Sequence, residues 1–140
     1  MKLTEAVQFI TEIFDDPVEF ERQDQGNKYL FFADINEKEL KLIAEKIGFD
    51  NWEVYFGVDG EVDITRTGDE IVVFSTVIEM VRDFLISEKP NSFRFTSKSS
   101  ESSRTRLYKR MVQNLSAKSR YSLDFIDDDG DEVMFLMKRD

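Results

Sequence analysis

The sequence has 140 residues, a formal net charge of −10, 41% hydrophobic residues and 34% charged residues, which indicates one soluble folded domain rather than a disordered or membrane-embedded chain. No apolar run approaches the roughly 20 residues of a membrane-spanning helix, and no signal-peptide pattern is present, so we expect a cytoplasmic protein. Because cysteine and histidine are both absent, disulfides, cysteine nucleophiles, Ser-His-Asp chemistry and zinc hydrolysis are excluded, and we expect no metal site.

The N-terminal region predicts a helix followed by a β-hairpin. Apolar residues at helical spacing predict an amphipathic helix over residues 2–14. Residues 18–23 alternate between apolar and polar, residues 24–27 contain a glycine turn, and residues 28–33 form an apolar run. This arrangement is typical of two antiparallel strands.

A second helix is predicted to follow the hairpin. Asn36 is a good N-cap, Glu39 lies at the capping-box distance from it, and Gly48 is a typical helix end. The inner stripe of this helix would consist of Leu40, Ile43 and Ile47.

An antiparallel hairpin is predicted after Gly48. Alternate positions from residue 52 to residue 58 are apolar, and Asp59-Gly60 is a strong two-residue turn signal. Residues 61–66 would form the second strand of this hairpin.

The segment from Asp69 to Leu85 predicts a buried strand that leads directly into a helix. Residues 71–74 form a continuous apolar run, and Ser75-Thr76 supplies an N-cap with Glu79 at the capping-box distance from Thr76. Unpaired amides at such a helix N-terminus attract anions. We therefore interpret Ser75, Thr76 and Val77 as candidate cofactor-binding residues.

The remaining elements are a strand, a helix and two strands. Phe93 and Phe95 alternate within the strand, and residues 101–116 predict a long helix. Residues 121–126 and 132–138 predict the last two strands, and residues 127–131 predict the turn between them. This turn does not fit a calcium loop, because Phe125 and Leu136 would occupy ligand positions. The inward side of the long helix would carry Leu107, Met111 and Leu115, with Tyr108 and Val112 alongside.

Charge is distributed unevenly along the chain. Residues 1–89 carry 9 Lys or Arg against 21 Asp or Glu, whereas residues 94–120 carry eight basic side chains against one acid. The basic stretch is either a solvated helix face or a contact patch. The patch would comprise Arg94, Lys98, Arg104, Arg106, Lys109 and Arg110.

The element order from Lys28 onward, together with Leu107-Tyr108 in the last helix, resembles the GNAT superfamily of acyl-CoA-dependent N-acetyltransferases. The resemblance implies a cofactor cleft between two splayed strands, with Tyr108 as the general acid that protonates the departing CoA thiolate. It also implies a glycine-rich pyrophosphate loop before the central helix. At the predicted position, residues 74–79 contain no glycine, so we expect a domain that lacks this loop, although acetyl-CoA remains the cofactor that the resemblance implies.

Residues 65–81, with Ser92-Phe-Arg-Phe-Thr-Ser and Ser103-Arg-Thr-Arg-Leu-Tyr, are similar to a group of small tailed-bacteriophage proteins of no established activity. This resemblance implies a phage origin and an accessory or virion role. If the protein is phage-encoded, its predicted location is the host cytoplasm or the virion.

The sequence thus predicts one α+β domain over residues 1–140, with a GNAT-like mixed, mostly antiparallel sheet flanked by helices. Residues 28–140 would form the core, and residues 1–27 would add an N-terminal helix and strand. We expect a non-catalytic protein without a cofactor that acts through contacts with an unidentified protein or with itself. The alternatives are an acyl-CoA-dependent N-acetyltransferase and an acidic DNA mimic that inhibits a host protein. A net charge of −10 opposes direct nucleic-acid binding.

Overall fold

The computed structural model describes residues 17–58, 70–98 and 102–140. Within these ranges, seven strands form one sheet in the order β1-β2-β3-β4-β5-β7-β6. Neighbouring strands are antiparallel except for the parallel pair β4 and β5. The strands are β1 (Glu21–Asp24), β2 (Lys28–Ile35), β3 (Lys38–Gly48), β4 (Asn51–Val58), β5 (Ser92–Lys98), β6 (Tyr121–Asp128) and β7 (Glu132–Arg139). The helices are α1 (Glu70–Glu88) and α2 (Ser102–Lys118).

The alternating patterns predicted most strands correctly. The structure confirms the first hairpin as β1 and β2, and it confirms β4, β5, β6, β7 and the long helix α2. The predicted helix over residues 2–14 and the predicted strand over residues 61–66 lie outside the described residues. Neither α1 nor α2 is long and apolar enough to cross a membrane.

The helix predicted after Asn36 was wrong, because residues 38–48 form strand β3. Asn36 and Glu37 have φ angles of 49° and 68° and form the two-residue turn between β2 and β3. The buried residues of β3 are Leu40, Leu42 and Ala44, which alternate as in a strand. Pairing with β2 on one side and β4 on the other satisfies the backbone groups of β3, and this outweighs the local helical pattern.

The strand predicted over residues 71–74 was also wrong, because α1 begins at Glu70. Val73, Val77 and Phe84 are fully buried at helical spacing, so the apolar run forms the first buried turns of a helix. Thr76 lies within this helix rather than at its start. Its hydroxyl donates to the Val72 carbonyl (2.7 Å) and accepts from the Val18 N–H (3.1 Å), which satisfies it inside the helix.

Both helices pack against the same face of the sheet. Tyr29 of β2, Trp52 of β4 and Phe84 of α1 form edge-to-face contacts with ring centroids 5.1 to 5.8 Å apart, and we name them the Phe84 cluster. Tyr108 of α2 stacks on Phe95 of β5 with centroids 5.2 Å apart. The core therefore lies between this sheet face and the two helices.

Candidate functional site

The candidate site is the opening of the sheet between β4 and β5. Among the described strands, these two are the only parallel neighbours, and they pair over four residues, from Asn51–Ser92 to Val54–Phe95. Residues 55–58 still pair with β3 and residues 96–98 still pair with β7, but no register joins them across the gap. The sheet therefore opens at the carboxyl ends of two parallel strands, where open sheets often bind ligands.

Aromatic rings fill the base of this opening. Tyr108 stacks on Phe95 and contacts Phe56 and Phe135 edge-on, with ring centroids 5.9 and 6.2 Å away. We name these four residues the Tyr108 cluster. Tyr108 is 0% exposed and Phe56 is 6% exposed. The residue that the sequence marked as a general acid is thus at the opening, but it is enclosed by packing.

A polar contact fixes α2 at the same end of β5. Ser97, which is buried, and Thr105 in the first part of α2 share a hydrogen bond of 2.8 Å between their hydroxyl groups. Because Thr105 precedes Tyr108 by one helical turn, this contact helps to set the position of the Tyr108 ring above the gap.

The predicted cofactor-binding residues Ser75, Thr76 and Val77 are not at a helix N-terminus. They lie five or more residues after the start of α1 and are 0% exposed. Their amides are past the four unpaired N–H groups at a helix start, so the predicted anion site at these residues was wrong.

The prediction that a phosphate loop is missing rested on residues 74–79, which lie inside α1. The segment that leads from β4 into α1 is residues 59–69, which lie outside the described residues, and its sequence contains Gly60 and Gly68. The absence of glycine from residues 74–79 refers to the helix interior and says nothing about this segment.

The predicted basic patch is divided between two faces of the molecule. Arg94 alternates with Phe93 and Phe95, so its side chain lies on the sheet face opposite α2, where it is 3.7 Å from Glu53. Arg106, Lys109 and Arg110 are exposed on α2. The side chains of Lys98 and Arg104 are outside the described part of the structure. Arg94 therefore does not share one surface with the α2 cations.

The acidic segment between β6 and β7 is a hairpin turn, as predicted. The carboxylate of Asp129 accepts the N–H groups of Asp131 (2.9 Å) and Glu132 (2.7 Å), and that of Asp128 accepts the N–H of Gly130 (3.0 Å). These backbone hydrogen bonds lower the pKa of Asp129. The two carboxylates therefore have a structural role in the turn, and no metal-binding group of His, Cys, Asp or Glu occurs among the described residues.

Comparison with known structures identifies the fold. No protein-family model and no curated protein matches the sequence. The N-acetyltransferase PseH from Campylobacter jejuni superposes with a TM-score of 0.50 at 16% identity, over 98% of this chain and 79% of PseH. The chain has a GNAT-like fold. This confirms the predicted α+β class with a mixed, mostly antiparallel sheet.

Two of the similar structures contain a cofactor. PseH has also been solved in complex with acetyl coenzyme A. RimL, an acetyltransferase of ribosomal L7/L12, has been solved with coenzyme A and superposes with a TM-score of 0.55 at 10% identity, over 83% of this chain and 64% of RimL. At these identities, the similarity establishes the GNAT-like fold alone.

Proposed function

We propose that this protein is a non-catalytic member of the GNAT-like fold that acts through protein contacts. The observation that carries this proposal is the complete burial of Tyr108. A general acid must come within hydrogen-bond distance of the atom that it protonates. Tyr108 is enclosed by three phenylalanine rings, so bringing it to a thiolate would break aromatic contacts that stabilise the fold by about 0.5–1.5 kcal/mol each.

The β3–β4 turn supports action through contacts. Phe49 in this turn is 95% exposed and the neighbouring Ile47 is 45% exposed. The turn is held in place, because the Asp50 carboxylate accepts the N–H of Asn91 at 3.1 Å. Exposed aromatic rings on a fixed backbone are typical anchors of protein interfaces. The partner would be another protein or a second copy of this chain.

Calorimetry with acetyl-CoA and with CoA tests the non-catalytic part of this proposal. We expect no binding heat at micromolar ligand concentrations. Binding at micromolar strength would contradict the proposal. Sedimentation of the same protein tests self-association, and Phe49→Ser should return any dimer to monomer, whereas the exposed control Ile86→Ser should leave the dimer intact.

A second candidate function is acyl-CoA-dependent N-acetyl transfer. It is favoured by the short parallel pairing of β4 and β5 and by the acetyl-CoA and CoA bound to PseH and RimL. In this mechanism, Tyr108 would protonate the CoA thiolate, and an acidic residue of the β2–β4 meander would act as base through water. A phosphate loop would have to come from residues 59–69, which contain Gly60 and Gly68.

A pair of tyrosine variants tests this second candidate. If the protein acetylates amines, Tyr108→Phe should lower kcat by about tenfold or more, in the range expected for loss of a general acid. Tyr121→Phe is the matched control, because Tyr121 is also buried but lies away from the opening, with its hydroxyl bonded to the Pro90 carbonyl. Equal rates for wild type and Tyr108→Phe would exclude Tyr108 as the acid. A phage origin and a virion location stay predictions from the sequence.

A further inference from the structure

A pocket of about 620 Å³ lies at the ends of α1 and α2 that are remote from the sheet opening. Residues from four elements line it: the last turns of α1, the end of α2, the start of β6 and the end of β7. Lys118 of this pocket lies ten residues after Tyr108 on α2, which is about 15 Å at 1.5 Å per residue, so the pocket is separate from the Tyr108 cluster. Its volume lies in the range of small-molecule sites.

Positive charge is concentrated in this pocket although the protein as a whole is strongly acidic. Five of the ten lining residues are Arg or Lys and one is Asp. The Asp140 carboxylate accepts a hydrogen bond from the Ser122 hydroxyl at 2.7 Å, and Arg82 is 3.1 Å from Glu79. The cations are Arg82, Lys89, Lys118, Arg120 and Arg139.

Three of these cations form no ion pair within the part of the chain that the structure describes. They are Lys89, Lys118 and Arg120. The carboxyl ends of α1 and α2 together supply about one unit of negative charge. After subtraction of this unit, of Asp140, of Glu79 and of Asp50, whose charge acts on Tyr121, an excess of about one positive charge remains. Helix capping therefore does not account for all the cations.

Hydrogen bonds hold the walls of the pocket in place. The Tyr121 hydroxyl donates to the Pro90 carbonyl at 2.6 Å, and Arg139 donates to the Lys89 carbonyl at 2.8 Å. The Tyr121 N–H donates to the Ser119 hydroxyl at 3.2 Å. Leu85, Ile86 and Tyr121 add an apolar wall. Since these hydrogen bonds fix the backbone around the pocket before any ligand arrives, only the cationic side chains would have to be ordered on binding.

Lys89 occupies a position where glycine is usual. It follows the last residue of α1 with φ of 51°, a left-handed conformation that disfavours side chains other than glycine or asparagine. A lysine in a left-handed backbone conformation is expected where its charge serves a function. Here it adds a cation to the rim of the pocket.

We propose that this pocket binds a phosphorylated small molecule of nucleotide size. Guanidinium and ammonium groups donate charge-assisted hydrogen bonds to phosphate oxygens, and the exposed side chain of Ile86 would contact the nucleoside. This site is independent of the proposed function, because it shares no residue with the Tyr108 cluster. Ligand binding here would contact both helices and the end of the sheet.

Binding of ATP and of inorganic tripolyphosphate to the full chain tests the proposal, because the two probes share a triphosphate and differ by the nucleoside. We expect both to bind at low ionic strength, ATP more tightly, with NMR shifts at Ile86 and Ser119. Lys118→Glu and Arg120→Glu should each weaken ATP binding by about tenfold or more. Lys109→Glu is the matched control, since it makes the same charge change on exposed α2 surface away from the pocket.

Several results would overturn the proposal. Failure of ATP to bind would exclude the site. Equal weakening by Lys109→Glu and Lys118→Glu would show general electrostatic attraction instead of a pocket. Binding that is unchanged in Arg120→Glu and Lys118→Glu would place ATP elsewhere, including the β4–β5 opening. Equal affinity for ATP and tripolyphosphate would exclude a nucleotide-sized ligand.

Discussion

The Phe84 cluster and the Tyr108 cluster fill the same core, but they lie under different kinds of sheet. The Phe84 cluster covers β2 to β4, where every strand pairs with its neighbour. The Tyr108 cluster joins β4 and β5 at the last residue pair of their register, which includes Phe95, and beyond it, at Phe56. Backbone hydrogen bonds therefore join all the strands under the Phe84 cluster, whereas under the Tyr108 cluster β5 and β7 stay paired and side-chain packing joins β4 to β5 beyond their last pair.

The largest expected effect comes from removing one ring from each cluster. Phe84→Ala and Tyr108→Ala should each lower the free energy of unfolding by about 3–5 kcal/mol, since both side chains are 0% exposed. Urea denaturation measures this loss. Ile86→Ala is the control, because Ile86 is 72% exposed, and it should change the stability by no more than about 0.5 kcal/mol.

Hydrogen exchange distinguishes the two clusters. The milder variants Tyr108→Leu and Phe84→Leu keep an apolar side chain and are suitable for this measurement. Tyr108→Leu should speed amide exchange in residues 55–58 and 96–98 more than in the rest of the sheet, because packing alone closes that gap. Phe84→Leu should not speed amide exchange in these residues more than in the rest of the sheet. Equal exchange profiles in the two variants would contradict the comparison.

Alkaline pH gives the next largest loss of stability. It acts through Tyr121, a buried residue away from the β4–β5 gap. Tyr121 packs against Phe93 with ring centroids 5.3 Å apart, where β5 and β7 are fully paired. Burial raises the pKa of Tyr121 to about 12, although Arg139 lowers it. The neutral phenol is therefore favoured in the folded state. The contribution of neutral Tyr121 to the free energy of unfolding is fully present below pH about 10. It is lost as the pH rises towards 12, by about 2–3 kcal/mol in total.

Urea midpoints between pH 9 and pH 12 measure this dependence. Lysine side chains also titrate in this range, so the comparison is between the wild type and Tyr121→Phe. The variant should lose less stability across the range. Parallel curves for the two proteins would show that Tyr121 does not contribute.

A smaller effect is expected from the polar edge of the Phe84 cluster. The Tyr29 hydroxyl donates to the Glu88 carboxylate at 2.8 Å, and burial, together with Glu88, raises the pKa of Tyr29. Tyr29→Phe should cost about 1–2 kcal/mol at pH 7. Tyr55→Phe removes an exposed hydrogen bond of 3.2 Å to Glu45 and should cost less than about 0.5 kcal/mol. Equal costs would contradict a role for burial.

The sequence predicted those elements correctly whose apolar residues fit only one period, either that of a strand or that of a helix. Trp52, Val54 and Phe56 alternate and form a strand, and Leu107, Met111 and Leu115 recur every four residues and form a helix. Residues 40–47 fit both periods, because Leu40 and Ile43 satisfy the helix while Leu42 and Ala44 satisfy the strand. Only pairing with β2 and β4 decides between them, and pairing is not local information.

The sites were harder to predict than the fold. Tyr108 was found from the resemblance, but its burial depends on rings from three strands that are distant in sequence. Because the sequence pattern placed the start of α1 too late, the candidate anion site fell on residues inside the helix. The basic pocket combines Arg82, Arg120 and Arg139, and no spacing along the chain links these three residues.

The smallest expected effect lies in the turn that leads into β3 and tests whether this segment is a strand. Glu37 has φ of 68° in the β2–β3 turn, where a side chain is disfavoured by about 1–2 kcal/mol. Glu37→Gly should therefore stabilise the protein by about 0.5–1 kcal/mol, less than the full strain because glycine also increases the freedom of the unfolded chain. In a helix that starts at Asn36, the same change would destabilise the protein.

Lys38→Gly is the control, because position 38 lies within β3 and glycine there should destabilise the protein by a similar amount. A stability loss in Glu37→Gly, measured by urea denaturation, would contradict the hairpin.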